Sequence, residues 1–239
     1  MSALFQVQAY RHGKWEAHIM KRVFAVNGSP RRNRNTAALL DAALQGMQEA
    51  CTEEIQAKRI DLYSLTYTGC RSCFACKLID GKSYGKCALK DDLAPVMEEI
   101  LQADALVFGS PVYYRNITGQ MHAFYERLLF PYTVYSRTRR DVQAKKIPTA
   151  FLYTMNVKED EYLRDHYDQY LGLWEKFIGR TFGVVPLSLC AFDTYQFDDY
   201  AKYVSDYFNE AEKRSYREAH FAEDLARAEE AGRQLMKKD

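Results

Sequence analysis

The chain has 239 residues and a formal net charge of +1, with 33 lysine and arginine residues against 32 aspartate and glutamate residues. A chain of this length can bury a sizeable apolar core, most simply as one α/β domain. The balanced charge gives no reason to expect binding to nucleic acid or to an acidic membrane, so any anion site must be local. The sequence has no run of about 18 apolar residues and no signal-peptide centre, which predicts a cytoplasmic protein.

The N-terminal segment MSALFQVQAYRHGKWEAHI, residues 1–19, differs in character from the sequence that follows. Met20 is followed at once by KRVFAVNGS, which is typical of a domain that begins with a strand. Residues 1–19 are therefore predicted to be an extension, and residues 20–239 one domain. The alternative for the extension is an ordered arm that packs on a neighbouring subunit.

From Met20 onwards, apolar runs of strand length alternate with segments of helical periodicity. The predicted strands are residues 22–27, 58–65, 104–110, 147–155 and 182–190. The predicted helices are residues 35–51, residues 91–102 with Asp91 or Asp92 as the cap, a helix capped by Thr118, and a charged tail of about 198–237.

Five apolar strands with helices between them predict a doubly wound parallel sheet, because right-handed crossovers place helices over both faces. The expected strand order is 2-1-3-4-5. In such a sheet, ligands bind beyond the carboxyl ends of the strands, at the point where the strand order reverses. The loops that begin at Asn27 and Ser110 lie at that point, so both are candidates for a binding site.

The first of these loops, NGSPRRNRNT at residues 27–36, has the components of a phosphate site. Ser29 and Thr36 offer hydroxyls, and Asn33 and Asn35 offer amides. Arg31, Arg32 and Arg34 offer charge, of which one is expected to reach the anion, and the helix that begins near Asn35 points free backbone N–H groups at the loop. Its spacing matches neither the nucleoside triphosphate nor the dinucleotide fingerprint, so a terminal monophosphate fits better. The alternative is an ordinary strand-to-helix loop in which Ser29 and Asn35 only cap the helix.

The second loop follows the third strand and reads GSPVYYRN. Its two tyrosines, Tyr113 and Tyr114, are expected where a planar ring bound at the switch point would lie. Packing under a helix or at a dimer interface is the alternative role for these side chains.

Four of the six cysteines fall in one segment, at Cys70, Cys73, Cys76 and Cys87. In a reducing compartment, clustered cysteines indicate metal or redox chemistry rather than structural disulfides. The two-residue gaps suit an iron–sulfur cluster or a zinc ion, and the glycines of the ten-residue gap before Cys87 would let that residue fold back. A dithiol formed by Cys73 and Cys76, or inert thiols in a lid, are alternatives.

Together, the motifs VNGSPRRNRNT, GCRSCFAC, GKCALKDDL, GSPVYYRNITGQM and DTYQFDDY resemble the flavodoxin-like family of NAD(P)H-dependent FMN reductases and iron–sulfur flavoproteins. This resemblance implies a flavodoxin-like fold that binds FMN. It implies a phosphate site formed by Ser29, Arg31, Asn35 and Thr36. It places beside the flavin ring Pro111, Val112, Tyr113 and Tyr114, and on the other side of the ring Thr154, Met155 and Asn156.

The resemblance also implies hydride transfer from NAD(P)H to FMN and then to a quinone, free flavin or another small acceptor, in a homodimer or homotetramer. The alternative is an electron-transfer protein that a redox partner reduces. Iron–sulfur flavoproteins of this family bind a [4Fe-4S] cluster through a compact cysteine motif, whereas the last gap is longer here. Arg115 and Asn116 also replace the small residues usual after the tyrosine pair, which affects the acceptor pocket.

Overall fold

The structure, a computed structural model, describes residues 8–11, 14–17, 20–138, 142 and 144–237. Its strands are β1 (Gln8–Arg11), β2 (Lys14–Ala17), β3 (Lys21–Asn27), β4 (Ile55–Asp61), β5 (Ala105–Pro111), β6 (Thr149–Thr154) and β7 (Leu187–Ala191). Its helices are α1 (Asn35–Ala50), α2 (Leu93–Ile100), α3 (Gly119–Leu129), α4 (Glu159–Arg164), α5 (Tyr167–Phe182) and α6 (Glu210–Leu235).

The central sheet contains β3 to β7 in the order β4-β3-β5-β6-β7, and every neighbouring pair is parallel. Counted from β3, this is the predicted order 2-1-3-4-5, and the flavodoxin-like fold class is confirmed. The order reverses at β3, whose last residue, Asn27, lies in register with Asp61 of β4 and Gly109 of β5. Those strand ends therefore meet at the switch point where ligands bind.

The hairpin of β1 and β2 forms a separate two-stranded antiparallel sheet. The predicted domain boundary at Met20 remains a prediction, because much of residues 1–19 lies outside the described residues.

Helices cover both faces of the sheet. On one face, α1 buries Leu40, Leu44 and Met47, and α6 packs against α1 and the sheet. On the other face, α2, α3 and α5 enclose the larger apolar cluster. The predicted cap of α3 is confirmed, since Thr118 Oγ1 accepts a hydrogen bond from the Met121 N–H at 3.3 Å.

Among the described residues, no helix is long and apolar enough to cross a membrane.

Several element boundaries differ from the prediction. The fifth strand begins at Leu187, because Phe182 still belongs to α5 and Gly183 ends that helix in the left-handed conformation, with φ +71°. The tail becomes an α-helix only at Glu210, after the side chain of Asn209 caps its first turn. Asp92 lies at the N-cap of α2 but makes no side-chain capping hydrogen bond.

Candidate active site

The two loops at the switch point are joined through Gly28. Its N–H donates to the Gly109 carbonyl at 2.8 Å, and its own carbonyl accepts from Thr118 Oγ1 at 2.7 Å. A Cβ at this position would lie 3.0 Å from Met121 Cβ and 3.2 Å from the Gly109 carbonyl oxygen, so the loops approach each other closely here. The loop of residues 27–36, here called the phosphate loop, and the loop of residues 109–116, here called the tyrosine loop, therefore lie side by side, as the strand order predicted.

The start of the phosphate loop is shaped by Asn27, which the sequence did not mark as a site residue. Its side-chain oxygen accepts from the Ser29 N–H at 3.0 Å, and its amide nitrogen donates to Asp61 at 2.8 Å. Ser29 is buried, and its hydroxyl accepts from the Arg31 N–H at 3.2 Å. A polar residue that ends a buried strand was the available signal for this role.

The loop leads into the N-terminus of α1, where backbone N–H groups lack helical partners. The N-cap residue, Arg34, makes no side-chain capping hydrogen bond, and the first turn contains no acidic residue. Thr36 lies buried in this turn. The positive end of α1 is thus available to an anion, which is what a phosphate requires.

Residues 195–198 lie against the phosphate loop and are bonded to its side chains. Arg31 donates to the Gln196 carbonyl at 2.7 Å, and Arg34 forms an ion pair with Asp198. The Asn35 amide donates to the Tyr195 carbonyl at 3.1 Å, while its oxygen accepts from Arg217 of α6 at 2.8 Å. Arg31 and Asn35, both predicted phosphate ligands, therefore also tie distant parts of the chain to the loop.

The tyrosine loop makes a tight turn between Tyr113 and Asn116, whose backbones exchange hydrogen bonds of 2.8 and 3.0 Å. Tyr114 and Arg115 adopt left-handed conformations, with φ of 49° and 66°. Such a conformation is costly for residues other than glycine and is concentrated at functional sites. Both tyrosines are exposed in this chain, Tyr114 completely, so neither is packed into the core.

The third predicted segment, residues 154–156, adjoins the first two. Thr154 Oγ1 lies 2.7 Å from Thr36 Oγ1, and the Thr154 carbonyl accepts from the Val112 N–H at 2.9 Å. Met155, which directly follows β6, is buried and packs in the larger apolar cluster. Asn156 differs, because its side-chain oxygen is buried without a hydrogen-bond partner among the described residues.

A buried ion pair lies next to residues 154–156. Lys213 of α6 pairs with Asp193, which follows β7, and both side chains are at most 5% exposed. The Lys213 ammonium also lies 3.5 Å from the Asn156 carbonyl. Asp193 has φ 45° and its N–H donates to the Val157 carbonyl at 2.9 Å. The loops after β6 and β7 are therefore joined both by a backbone hydrogen bond and through one charged side chain of the C-terminal helix.

These features fit a bound flavin mononucleotide. The uncapped α1 terminus with the Ser29 and Thr36 hydroxyls matches its phosphate, and the unpaired Asn156 oxygen is a polar group that a ligand can satisfy. The exposed tyrosine pair offers aromatic surface at the same edge of the sheet. The predicted flavin-site assignments of individual residues remain predictions.

The four clustered cysteines line one small pocket. The ten-residue gap before Cys87 folds back on itself, because the Gly85 N–H donates to the Cys76 carbonyl at 3.0 Å with Gly85 at φ +73°. Between the earlier cysteines, Ser72 and Phe74 adopt left-handed conformations, with φ of 51° and 55°. The chain is thus curled tightly around the pocket, and the long gap brings Cys87 to the other three cysteines.

The four cysteines are the right type of residue for a four-thiolate metal centre, and they line the same pocket. Their side chains are not arranged as metal ligands in this structure. Among the described residues, no three His, Cys, Asp or Glu side chains form a group that would hold a metal ion. Burial raises the pKa of the Cys76 thiol, an effect that the charge of Lys77 opposes. Metal binding deprotonates its thiol ligands and is coupled to local folding, so a change of side-chain orientation on binding is expected.

The cysteine pocket lies along α3, away from the switch point. Thr118, which bonds Gly28 at the switch point, and Arg127, which bonds Cys87, are nine residues apart, which corresponds to about 13 Å along the helix axis. A cavity of about 850 Å³ adjoins Cys70 and extends between α3 and α5, where Glu126, Trp174 and Arg180 line it. The described residues that line this cavity include none of the three predicted flavin segments.

The chain is similar in sequence to known flavoproteins. The model of the NADPH-dependent FMN reductase family matches residues 21–172. An iron–sulfur flavoprotein from Archaeoglobus fulgidus is 36% identical over 106 residues, which cover 44% of this chain and 44% of that protein. The chain thus spans about half the length of the curated relatives that it matches.

Two solved structures share the fold. An NAD(P)H:quinone oxidoreductase from Methanothermobacter marburgensis has a TM-score of 0.62 and 20% identity, over 92% of this chain and 100% of the other. An FMN-dependent NADH-azoreductase from Bacillus anthracis, solved in complex with FMN, has a TM-score of 0.56 and 13% identity, over 91% and 100% of the two chains. The family match covers the phosphate loop, the cysteine segment, the tyrosine loop and residues 154–156, so this chain belongs to the NADPH-dependent FMN reductase family.

Proposed function

We propose that this chain is an FMN-dependent oxidoreductase that takes hydride from NAD(P)H and passes electrons to a quinone, free flavin or another small acceptor. Membership in the family supports FMN as the cofactor. The observation that carries the proposal is the meeting of the phosphate loop, the tyrosine loop and residues 154–156 at the carboxyl edge of the sheet. Bound FMN would supply the hydride chemistry, while the protein supplies position and electrostatics.

Each part of the site has a task in this proposal. The α1 N-terminus, Ser29 and Thr36 bind the phosphate. Asn156 presents its buried oxygen to the ring, and Lys213 holds that segment in place. Tyr113 and Tyr114 shape the entrance for the acceptor, and their exposure supports a homodimer or homotetramer in which a second copy covers them.

Reduced nicotinamide nucleotide should bleach the bound flavin directly. In oxygen-free stopped-flow experiments, we expect NADH or NADPH to remove the visible absorption of the FMN-loaded protein within seconds. Because the proposed enzyme needs no protein partner, no ferredoxin should be required. Bleaching by dithionite or reduced ferredoxin alone would contradict the proposal and favour the second candidate below.

Loss of the loop hydroxyls should weaken FMN binding but not riboflavin binding. Ser29→Ala and Thr36→Ala each remove a loop hydroxyl that the proposal assigns to the phosphate, and a hydrogen bond to a charged group contributes about 1.5–3 kcal/mol. We expect the FMN dissociation constant to rise roughly tenfold or more in each variant. Fluorescence titration with FMN and with riboflavin, which lacks the phosphate, measures both affinities.

Two further variants control this titration. Thr36→Ser retains the hydroxyl and should restore most of the FMN affinity. Ser188→Ala removes a hydroxyl that is bonded to Glu175 near the amino end of β7, and it should change neither affinity. Equal losses for FMN and riboflavin would show that the loop does not hold the phosphate.

The second candidate is an electron-transfer protein that contains FMN and a [4Fe-4S] cluster and is reduced by a redox partner. The cysteine pocket favours it, because Cys70, Cys73, Cys76 and Cys87 all line that pocket and the side chains of Lys77 and Arg127 lie beside these cysteines. Such a cluster would supply single-electron transfer. Iron and sulfide measured on protein purified without oxygen decide between this candidate and a metal-free cysteine loop.

A further inference from the structure

The side chain of Arg127 is buried in α3 beside the cysteine pocket, with 1% of the residue exposed. Its Nε donates to Cys87 Sγ at 2.9 Å, and one terminal nitrogen donates to the Thr68 carbonyl at 3.0 Å. The two terminal nitrogens also donate to the two carboxylate oxygens of Asp91, at 2.8 and 3.2 Å. One guanidinium therefore contacts the chain on both sides of the four-cysteine segment.

A fully buried arginine is rare unless it is paired, and here the pairing is specific. The hydrogen bond from Arg127 holds the pKa of Asp91 below its ordinary value, so the pair is charged at neutral pH. The planar guanidinium fixes the directions of its donors once Asp91 binds two of them. The remaining Nε–H is thereby aimed at the Cys87 sulfur.

The long gap before Cys87 makes this contact important. The hydrogen bond from the Gly85 N–H to the Cys76 carbonyl brings the chain back to Cys76. That bond does not fix the position of the Cys87 sulfur, two residues later. Cys87 itself is only partly buried. The Arg127 Nε is the side-chain donor that the structure places on its sulfur, and Asp91, four residues further along, anchors the same guanidinium.

We propose that Arg127 is a positioning residue that seats Cys87 among the other three cysteines so that four thiolates can bind one metal centre. The inference rests on the cysteine centre of the second candidate function, and it does not require that function to involve FMN. Hydrogen bonds to a ligating atom from outside the coordination sphere typically contribute 10–100-fold to metal affinity.

Cobalt(II) is the probe, because its absorption spectrum reports tetrahedral thiolate coordination in protein that contains no iron. We expect reduced wild-type protein to give this spectrum, and Arg127→Met to bind Co²⁺ about 10–100-fold more weakly. In a Cys87→Ser background, where the sulfur that Arg127 holds is absent, the same substitution should change the residual affinity less than about twofold. Equal losses in both backgrounds would indicate a merely structural role and overturn the proposal.

Two further variants complete the experiment. Arg227→Met removes a more exposed guanidinium that bonds the Cys190 carbonyl and pairs with Asp224, so it controls for the loss of an arginine distant from the four cysteines and should leave Co²⁺ binding unchanged. Asp91→Asn keeps Arg127 but removes its charged anchor, and it tests the same arrangement if Arg127→Met fails to fold. We expect Asp91→Asn to weaken Co²⁺ binding in the wild-type background, and unchanged affinity would contradict the proposal. A wild-type protein without the thiolate spectrum would overturn the cysteine centre itself and this role with it.

Discussion

Alanine at Gly46 or Gly232 is expected to destabilise the protein by about 3 kcal/mol or more, at the upper end of the cost of overpacking. These glycines lie where α1 and α6 cross with their backbones in contact. A Cβ at Gly46 would lie less than 3.0 Å from the Glu229 carbonyl oxygen, and one at Gly232 less than 3.0 Å from the Ala43 carbonyl oxygen. Backbone atoms cannot turn aside as a flexible side chain can, so the two helices must move apart.

Urea unfolding, followed by circular dichroism and fluorescence, measures this effect against a matched control. Gly172 also lies inside a helix, α5, but a Cβ there would meet no atom within 4 Å. Gly172→Ala should therefore stabilise the protein by about 0.5–1 kcal/mol, because alanine favours the helix more than glycine does. Unchanged stability of Gly46→Ala and Gly232→Ala would show that α6 does not pack on α1 as described.

The sheet was predictable from sequence because its central strands are continuously apolar. Val23 to Val26 and Ala105 to Phe108 are buried on both faces, and only a parallel sheet covered by helices on both sides buries strands in this way. The edge strand β4 was placed less accurately. It alternates exposed and half-buried residues, and the predicted strand of 58–65 included residues 62–64, which form a short 3₁₀ turn.

The helices between β6 and β7 were not identified individually from the sequence. In α5 the core residues Leu171, Trp174, Ile178 and Phe182 follow helical spacing, so the sequence contained a readable apolar face, although the exposed apolar residues Tyr170 and Leu173 lie among them. The start of α6 had a readable signal that was missed. Asn209 precedes the helix by one position and Glu212 follows three residues later, a capping pattern that the structure contains.

The flavin loops were predictable from local composition, whereas the charged side chains that support the site were not. Arg127 shares the core-facing side of α3 with Phe124 and Leu128, so its helical position carried a signal of burial. Lys213 and Asp193 carried none, because an acidic residue in a loop and a lysine in a charged helix usually lie in solvent. Their pairing depends on how α6 returns across the sheet, which local patterns do not encode.

Removal of Lys213 is expected to have the other large effect. Lys213→Met leaves the Asp193 carboxylate buried without its partner, and breaking a buried ion pair from one side costs about 3–5 kcal/mol. The Met variant should also weaken FMN binding, because Lys213 lies 3.5 Å from the carbonyl of Asn156, a residue that the proposed function assigns to the flavin ring and whose side-chain oxygen is buried without a partner among the described residues. Urea unfolding and FMN titration of the same sample measure the two effects.

A double-mutant cycle separates the contribution of the buried ion pair to stability from the effect of removing the Lys213 side chain. Asp193 has a left-handed backbone, which asparagine tolerates, so Asp193→Asn removes the charge without adding strain. Lys213→Met/Asp193→Asn should be more stable than Lys213→Met alone, since no uncompensated charge remains. Lys58→Met, which breaks the exposed 2.7 Å pair with Glu99, should cost less than about 1 kcal/mol. Similar costs for Lys58→Met and Lys213→Met would show that α6 does not anchor the Asn156 segment through a buried charge.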